Sequence, residues 1–266
     1  MPSLAVVGNL SRDLVDGGPP RVGGPPFHAS RALRALNCRA VVAAKCAEGH
    51  RRELLPPLIA LGVPVVWRPS SSTASFSFRY DGDRRLMSVD ALGDPWTPAE
   101  VRRLGGERWV HVGAVARSDF PAATLAELAR ERRVSLDGQG LVRPARTGPL
   151  KLDSDYDPEV LRFVSVLKLA EEEALAAVGE PTEDALRSLG VAEVVVTLGS
   201  RGSLVLADGR LERVVAVPVA GEIDPTGAGD AFAVAYLVSR QSGHAPVAAA
   251  RRATALVSGL LGRRLR

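Results

Sequence analysis

The stretch Asp224-Pro225-Thr226-Gly227-Ala228-Gly229-Asp230-Ala231-Phe232 brings together a small-residue turn, a carboxylate and the start of an apolar run. Thr226 to Gly229 carry almost no side-chain bulk, and residues 231–238 can continue as a buried helix. A helix opened by such a turn leaves backbone N–H groups without intrahelical partners, with the positive end of the helix dipole behind them. That combination suits a phosphate. Asp230 would repel the anion, so its natural task is to take a proton from a hydroxyl that attacks phosphorus. The chemistry implied is phosphoryl transfer to a small alcohol, with Asp230 as base and the backbone of Gly227, Ala228, Gly229 and Asp230 as the anion hole. Taken as a bare Gly-x-Gly, the same residues also read as a tight turn with a stabilising acid at a helix start.

Four other segments carry polar residues at places where an α/β fold binds ligands. Asp13, in Gly8-Asn9-Leu10-Ser11-Arg12-Asp13, follows an apolar first run. It is either a turn residue or an acceptor of hydrogen bonds from sugar hydroxyls. Gly23-Gly24 ahead of Pro25-Pro26-Phe27-His28 admits a ligand close to the backbone, and proline suits a first helical turn. His28 is placed either to bond a ring hydroxyl or to pack. Asp137-Gly138-Gln139 and Arg143 follow another strand pattern and are open to substrate or phosphate, although Arg143 serves equally as a surface residue. Thr197-Leu198-Gly199-Ser200-Arg201-Gly202 joins two strand patterns with small residues against which a nucleotide can lie, Arg201 being within reach of its phosphates.

The elements that must position these residues alternate along the chain. Short β-branched runs predict strands at 4–8, 40–44, 63–67, 109–113, 134–137, 164–168, 194–198 and 203–207. Helical patterns fall at 27–36, 51–61, 121–132, 171–178, 183–189, 228–238 and 247–258. Strands apolar on both faces, alternating with helices, predict a doubly wound, mostly parallel α/β sheet. Residues 73–92 break the rhythm: period-two alternation on either side of Asp81-Gly82-Asp83 predicts a hairpin with Phe76, Phe78 and Tyr80 on one face. With residues 10–22 it would stand off the main sheet as a small lid.

The nonapeptide at 224–232 resembles the signature of the ribokinase family, the PfkB-type carbohydrate kinases. Five segments fall in that family's order over essentially the whole chain. Gly-Gly-Pro-x-aromatic-x-Ala-Ser at 23–30 and Asp-x-Gln-Gly at 137–140 are most similar to the short branch that includes myo-inositol kinases. The resemblance implies a single ribokinase-like domain over 1–266, with lid segments at about 10–22 and 73–92. It implies transfer of the γ-phosphoryl group of MgATP to a sugar or polyol held by Asp13, Gly23, Gly24, His28 and Gln139. ATP would be held by Lys168, Glu173, Thr197, Gly199, Gly202 and Thr226, with its base near 217–220 and 247–258. Glu173 would order a Mg²⁺-bound water, and a monovalent-cation requirement stays open. Ala170 stands where the family has Asn; three glutamates at 171–173 also read as plain helix capping. Some relatives dimerise through the lid, so monomer and homodimer both remain. The rival expectations are a nucleoside kinase, with Phe27 or the lid aromatics against the base, and a non-catalytic sugar or nucleotide sensor.

Composition narrows the setting. The 266 residues carry a formal charge of +4, with 46% hydrophobic and 24% charged residues, an ordinary globular balance. No apolar run reaches the length of a membrane span, and the first residues lack a signal-peptide pattern, which predicts a cytoplasmic protein. Basic residues are spread along the chain and thicken only at 251–252 and 262–266, so no nucleic-acid partner is expected. Cys38 and Cys46 fit no metal spacing, and no P-loop, zinc-protease or hydrolase motif occurs.

Overall fold

The structure, a computed structural model, describes residues 3–81, 84–219 and 225–263. Asp224 of the nonapeptide, Gly82-Asp83 of the hairpin turn, Ala220 and the basic end at 264–266 lie outside them, as does the Tyr80 side chain. The strands are β1 (Ser3–Asn9), β2 (Ser11–Val15), β3 (Arg21–Gly23), β4 (Arg39–Ala47), β5 (Val65–Ser70), β6 (Ala74–Asp81) and β7 (Arg84–Ala91). They continue as β8 (Trp109–Gly113), β9 (Arg133–Asp137), β10 (Gly148–Pro149), β11 (Val166–Ala170), β12 (Glu193–Thr197), β13 (Ser203–Ala207) and β14 (Arg210–Val214). The helices are α1 (Pro25–Ala35), α2 (Arg51–Ile59), α3 (Pro98–Arg102), α4 (Ala122–Ala129), α5 (Gln139–Val142), α6 (Glu171–Val178), α7 (Glu183–Arg187), α8 (Ala228–Gln241) and α9 (Pro246–Arg263).

The main sheet runs β14-β13-β12-β11-β9-β8-β1-β4-β5. From β12 to β5 every neighbouring pair is parallel. Strands β13 and β14 close one edge antiparallel. Along β1, Ala5 and Val7 enter one apolar cluster while Leu4 and Val6 enter the other, so helices cover both faces. That burial is why the central strands read as unbroken apolar runs. Strand β14 has no such run: its residues are mostly exposed, and it forms by pairing across Asp208-Gly209, both at positive φ (51° and 72°). Two left-handed residues make the turn that suits a tight hairpin. Helix α3 is likewise a local product, capped by the Thr97 hydroxyl and the returning Glu100 carboxylate.

Helix α8 crosses the sheet and is fixed at its far end. Tyr236 Oη donates to Glu193 Oε2 (2.6 Å), and Arg240 brackets the same carboxylate through Nε (2.9 Å) and Nη2 (2.6 Å). Glu193 lies on the α8 side of β12, so this buried network sets where the first turn of α8 points.

The second sheet runs β10-β7-β6-β2-β3. It joins chain from 11–23 and 74–91 and adds two residues from 148–149. The inner face carries Ala74, Phe76, Phe78 and Val89, packed with Val115 from the loop after β8. Cross-strand partners Phe76–Val89 and Phe78–Met87 keep that face apolar. The outer face is polar: Ser77 bonds Asp90, and Arg79 is exposed.

Candidate active site

Gly227 caps α8 in the left-handed conformation, φ 77° and ψ 6°. A Cβ there would lie 2.5 Å from His28 Nδ1, so the turn needs glycine both for its dihedral and for the packing of α1 against it. The Ala228 amide, expected in the anion hole, donates instead to the Pro225 carbonyl at 2.9 Å. The Gly229 and Asp230 amides are the next donors of the helix start. A Cβ on Gly229 would meet Lys168 Nζ at 2.8 Å, so an ammonium lies directly under these amides.

Asp230 belongs to a buried charge cluster. It is 8% exposed, and its Oδ1 has no hydrogen-bond partner among the described residues. Burial and the neighbouring Asp137 carboxylate raise its pKa to about 7, against the pull of Lys168 and Arg143; Glu173 adds to the rise. Lys168 Nζ stands 3.3 Å from Asp137 Oδ2. Burial opposes its charge, yet Asp137, Glu173 and Asp230 together hold it protonated. Glu173 is pushed upward by burial and held back by Lys168, while its Oε2 accepts from the Ala170 amide at 2.7 Å. Ala170 thus keeps the backbone half of a helix cap and lacks any side-chain half. A ring nitrogen of His111 and one carboxylate oxygen each from Asp137 and Asp230 lie within 4.8 Å of one another. The adjacent Lys168 supplies the positive charge this trio requires, so it does not fit a divalent ion.

Two cavities open on either side of the α8 start. One, of about 140 Å³, is lined on its polar side by Asp13, His28, Gln139, Arg143, Thr226 and Asp230, with Gly24 and Gly227. Phe76, Phe78, Met87 and Val115 form its opposite, apolar wall. Asp13 is seated by Ser11, whose hydroxyl donates to it at 2.7 Å. Gly23 lies behind it rather than in the cavity, since a Cβ there would fall 2.0 Å from Asp13 Oδ2. Gln139 is set at the end of β9, its amide donating to Asp137 Oδ1 at 3.1 Å. Phe27 points elsewhere, packing edge-to-face on His28 and against the core below α1.

The other cavity, of about 350 Å³, lies beyond Ala228 and Gly229. Thr197, Gly199 and Gly202 form one side, Val217–Val219 another, and Thr254, Val257, Ser258 and Leu261 of α9 a third. Its lining is mostly apolar. Gly202, at φ 96°, lets β14 pass close by: a Cβ would sit 1.9 Å from the Val214 carbonyl oxygen. Arg201 lies outside this lining and pairs with Glu171 on the surface. Lys168 and Glu173 lie between the cavities, under the amides rather than in either lining.

Residues the sequence reading passed over also belong here. Ser11, Met87 and Val115 come from three separate places in the chain and meet only through the second sheet. His111, within the strand pattern at 109–113, is fully buried beside the two carboxylates.

A parallel sheet wound on both faces, with an anion-receptive helix start between two cavities, defines a ribokinase-like fold. The chain belongs to the pfkB family of carbohydrate kinases, whose sequence model matches residues 70–262. A ribokinase of Arabidopsis thaliana is 31% identical over 118 residues, covering 40% of this chain and 31% of that protein. A cytidine kinase of Thermococcus kodakarensis is 40% identical over 91 residues, 32% of each chain. These matches span only about a third of either relative. Among solved structures, a pyrophosphate-dependent kinase in the ribokinase family, complexed with a pyrophosphate analog and myo-inositol, superposes with a TM-score of 0.85. It is 24% identical, over 97% of this chain and 94% of the other. A Burkholderia thailandensis nucleoside kinase in complex with inosine gives 0.76 at 19% identity, over 96% and 89%. At these identities the superpositions show the shared fold. Among the described residues no helix is long and apolar enough to cross a membrane.

Proposed function

We propose that the chain transfers the γ-phosphoryl group of ATP to a hydroxyl of a small sugar or polyol. The observation that carries the reading is that the first turn of α8 is the shared wall of both cavities. A phosphoryl group resting on the Gly229 and Asp230 amides would have its donor on one side and the Asp230 carboxylate, with the acceptor, on the other. The acceptor hydroxyl gives its proton to Asp230 as its oxygen bonds to the γ-phosphorus. The bond to the bridging oxygen breaks, and ADP leaves with that electron pair. A carboxylate with a pKa of about 7 is well matched to this task near neutral pH. Lys168 and the amides stabilise the charge that spreads over the transferred group. Asp13 and Gln139 orient the acceptor, and the small sheet acts as a lid whose apolar wall excludes water.

Mg²⁺ fits this arrangement when brought in by the donor, held mainly by phosphate oxygens and water. Glu173, with one oxygen fixed by the Ala170 amide, would order that water. Bound there, the ion would neutralise charge on the donor phosphates.

Three of the similar solved structures are of pyrophosphate-dependent kinases. Pyrophosphate as donor is therefore the second reading. The apolar cavity beyond Gly229 favours ATP, because an adenine would fill it and pyrophosphate would leave it empty. A nucleoside acceptor is disfavoured by the small acceptor cavity, below the roughly 300 Å³ where drug-sized ligands begin to fit. Phosphorylated product is to be followed with ATP and with pyrophosphate over a panel of cyclic polyols, hexoses, pentoses and nucleosides, beside Asp230→Asn. Turnover on a polyol or sugar with ATP, lost in the variant, supports the proposal. Equal rates with pyrophosphate would overturn the donor assignment, and nucleoside turnover alone the acceptor assignment.

A further inference from the structure

His111 occupies a position that the proposed reaction does not use. It lies on β8 in the row Val6–His111–Ser135, two residues below the level of Asp137 and on the sheet face covered by α8. The side chain is fully buried, and burial lowers its pKa to about 4, so the ring is neutral. A neutral imidazole carries one N–H and one bare nitrogen. Its Nδ1 lies 3.3 Å from the Ser135 hydroxyl. Its Nε2 has no partner among the described residues, and neither has Asp230 Oδ1. The same ring comes within 4.8 Å of the Asp230 and Asp137 carboxylates. Two carboxylates accept hydrogen bonds and repel a lone pair, so the hydrogen belongs on Nε2 and the Ser135 hydroxyl donates to Nδ1.

We propose that His111 is a positioning residue for the base: from the Nε2–H tautomer it donates to one Asp230 oxygen and so holds the other toward the acceptor. A small closing of α8 onto the sheet when substrates bind would shorten the contact, as apo catalytic hydrogen bonds commonly tighten in the complex. The inference rests on the reading of Asp230 as base.

The test separates orientation from packing by the reach of the replacement. The side-chain amide introduced by His111→Gln can bring an N–H to the place of Nε2, whereas that of His111→Asn reaches only the place of Nδ1. His111→Leu should lower kcat about 10–100-fold, the usual range for an outer-shell partner, and leave both KM values within about twofold. His111→Gln should recover most of that loss and His111→Asn little of it. In an Asp230→Asn background, His111→Leu should cause no further loss, because the group it positions is gone. Equal rescue by Asn, a loss confined to KM, or a full additive loss in the double variant would overturn the proposal. If Asp230→Asn itself keeps near-normal turnover, the base assignment fails first, and the two failures are told apart. Should His111→Leu not fold, the Gln and Asn variants still decide the matter, with Ser135→Ala, which removes the donor to Nδ1, expected to lower kcat alone.

Discussion

The two cavities beside α8 are built on opposite principles. The proposed acceptor side is small, with titratable groups from β2, α1, the β9–α5 junction and α8 facing an apolar wall from the second sheet. The proposed donor side is more than twice as large and mostly apolar, made by the β12–β13 turn, residues 216–219 and α9. Chemistry needs charges whose pKa values are tuned by burial, and those are expensive to bury unless paired. Binding an aromatic base needs only apolar surface and backbone. The charged cluster of Asp137, Lys168, Glu173 and Asp230 lies at their boundary beside the first turn of α8, where the proposed reaction would pass a phosphoryl group across.

The largest effect should come from that boundary. Asp230→Asn is expected to lower kcat by about 10²–10⁴-fold, the range for loss of a general base, with donor KM little changed; near-normal kcat would break the division of labour. In the wild type, kcat/KM should rise as pH increases through about 7, because Asp230 must be ionised to accept a proton. Stability runs the other way. A carboxylate whose folded pKa is raised favours folding while protonated and loses that advantage as pH climbs from its unfolded value toward 7. Asp230→Asn should therefore melt higher than wild type at pH 8, by about 2–4 °C for each ~1 kcal/mol relieved, and converge with it near pH 3.

Gly229→Val places a branched side chain against Lys168 Nζ and over the amides, where a Cβ alone would be 2.8 Å from the ammonium. Single-turnover rates should fall about 100-fold, the scale of losing one anion-hole donor, and an unchanged rate would show that the phosphoryl group rests elsewhere.

A matched pair then sharpens the contrast. Val257→Asp, in the donor lining, should raise donor KM about tenfold by burying a carboxylate in the cavity, with acceptor KM unmoved. Phe78→Leu, in the acceptor wall, should raise acceptor KM about threefold to tenfold and leave donor KM alone, the loss of roughly 1 kcal/mol of contact. Crossed effects in steady-state kinetics would mean that the cavities are not independent. Smallest of all, Ala170→Asn should leave kcat within about twofold, because the Glu173 carboxylate already caps the Ala170 amide with no side-chain contribution from residue 170. A large loss there would show the cluster rebuilt around alanine.

Much of the fold is legible in the residues because the signals are local. The apolar strands, the helices of the winding and the hairpin of residues 73–92 follow from period and length alone. The observed β11 runs to Ala170, two residues past the expected end, which makes Ala170 itself the cap of α6. Strand β14 escaped because its exposed charged residues form no apolar run, although Asp208-Gly209 was a turn signal in plain view. The two-residue β10 has no signal at all; it exists only because β7 offers an edge.

The nonapeptide by itself determined that a helix start would be free for an anion and that a carboxylate would stand beside it. Small residues and an apolar run force that locally, whatever surrounds them. Tertiary structure alone decided the rest. It turned Arg201 away to Glu171, set Gly23 behind Asp13, and brought His111 under Asp230. Each depends on which strands lie side by side, and strand order is fixed by burying both faces of the whole sheet rather than by any stretch of sequence.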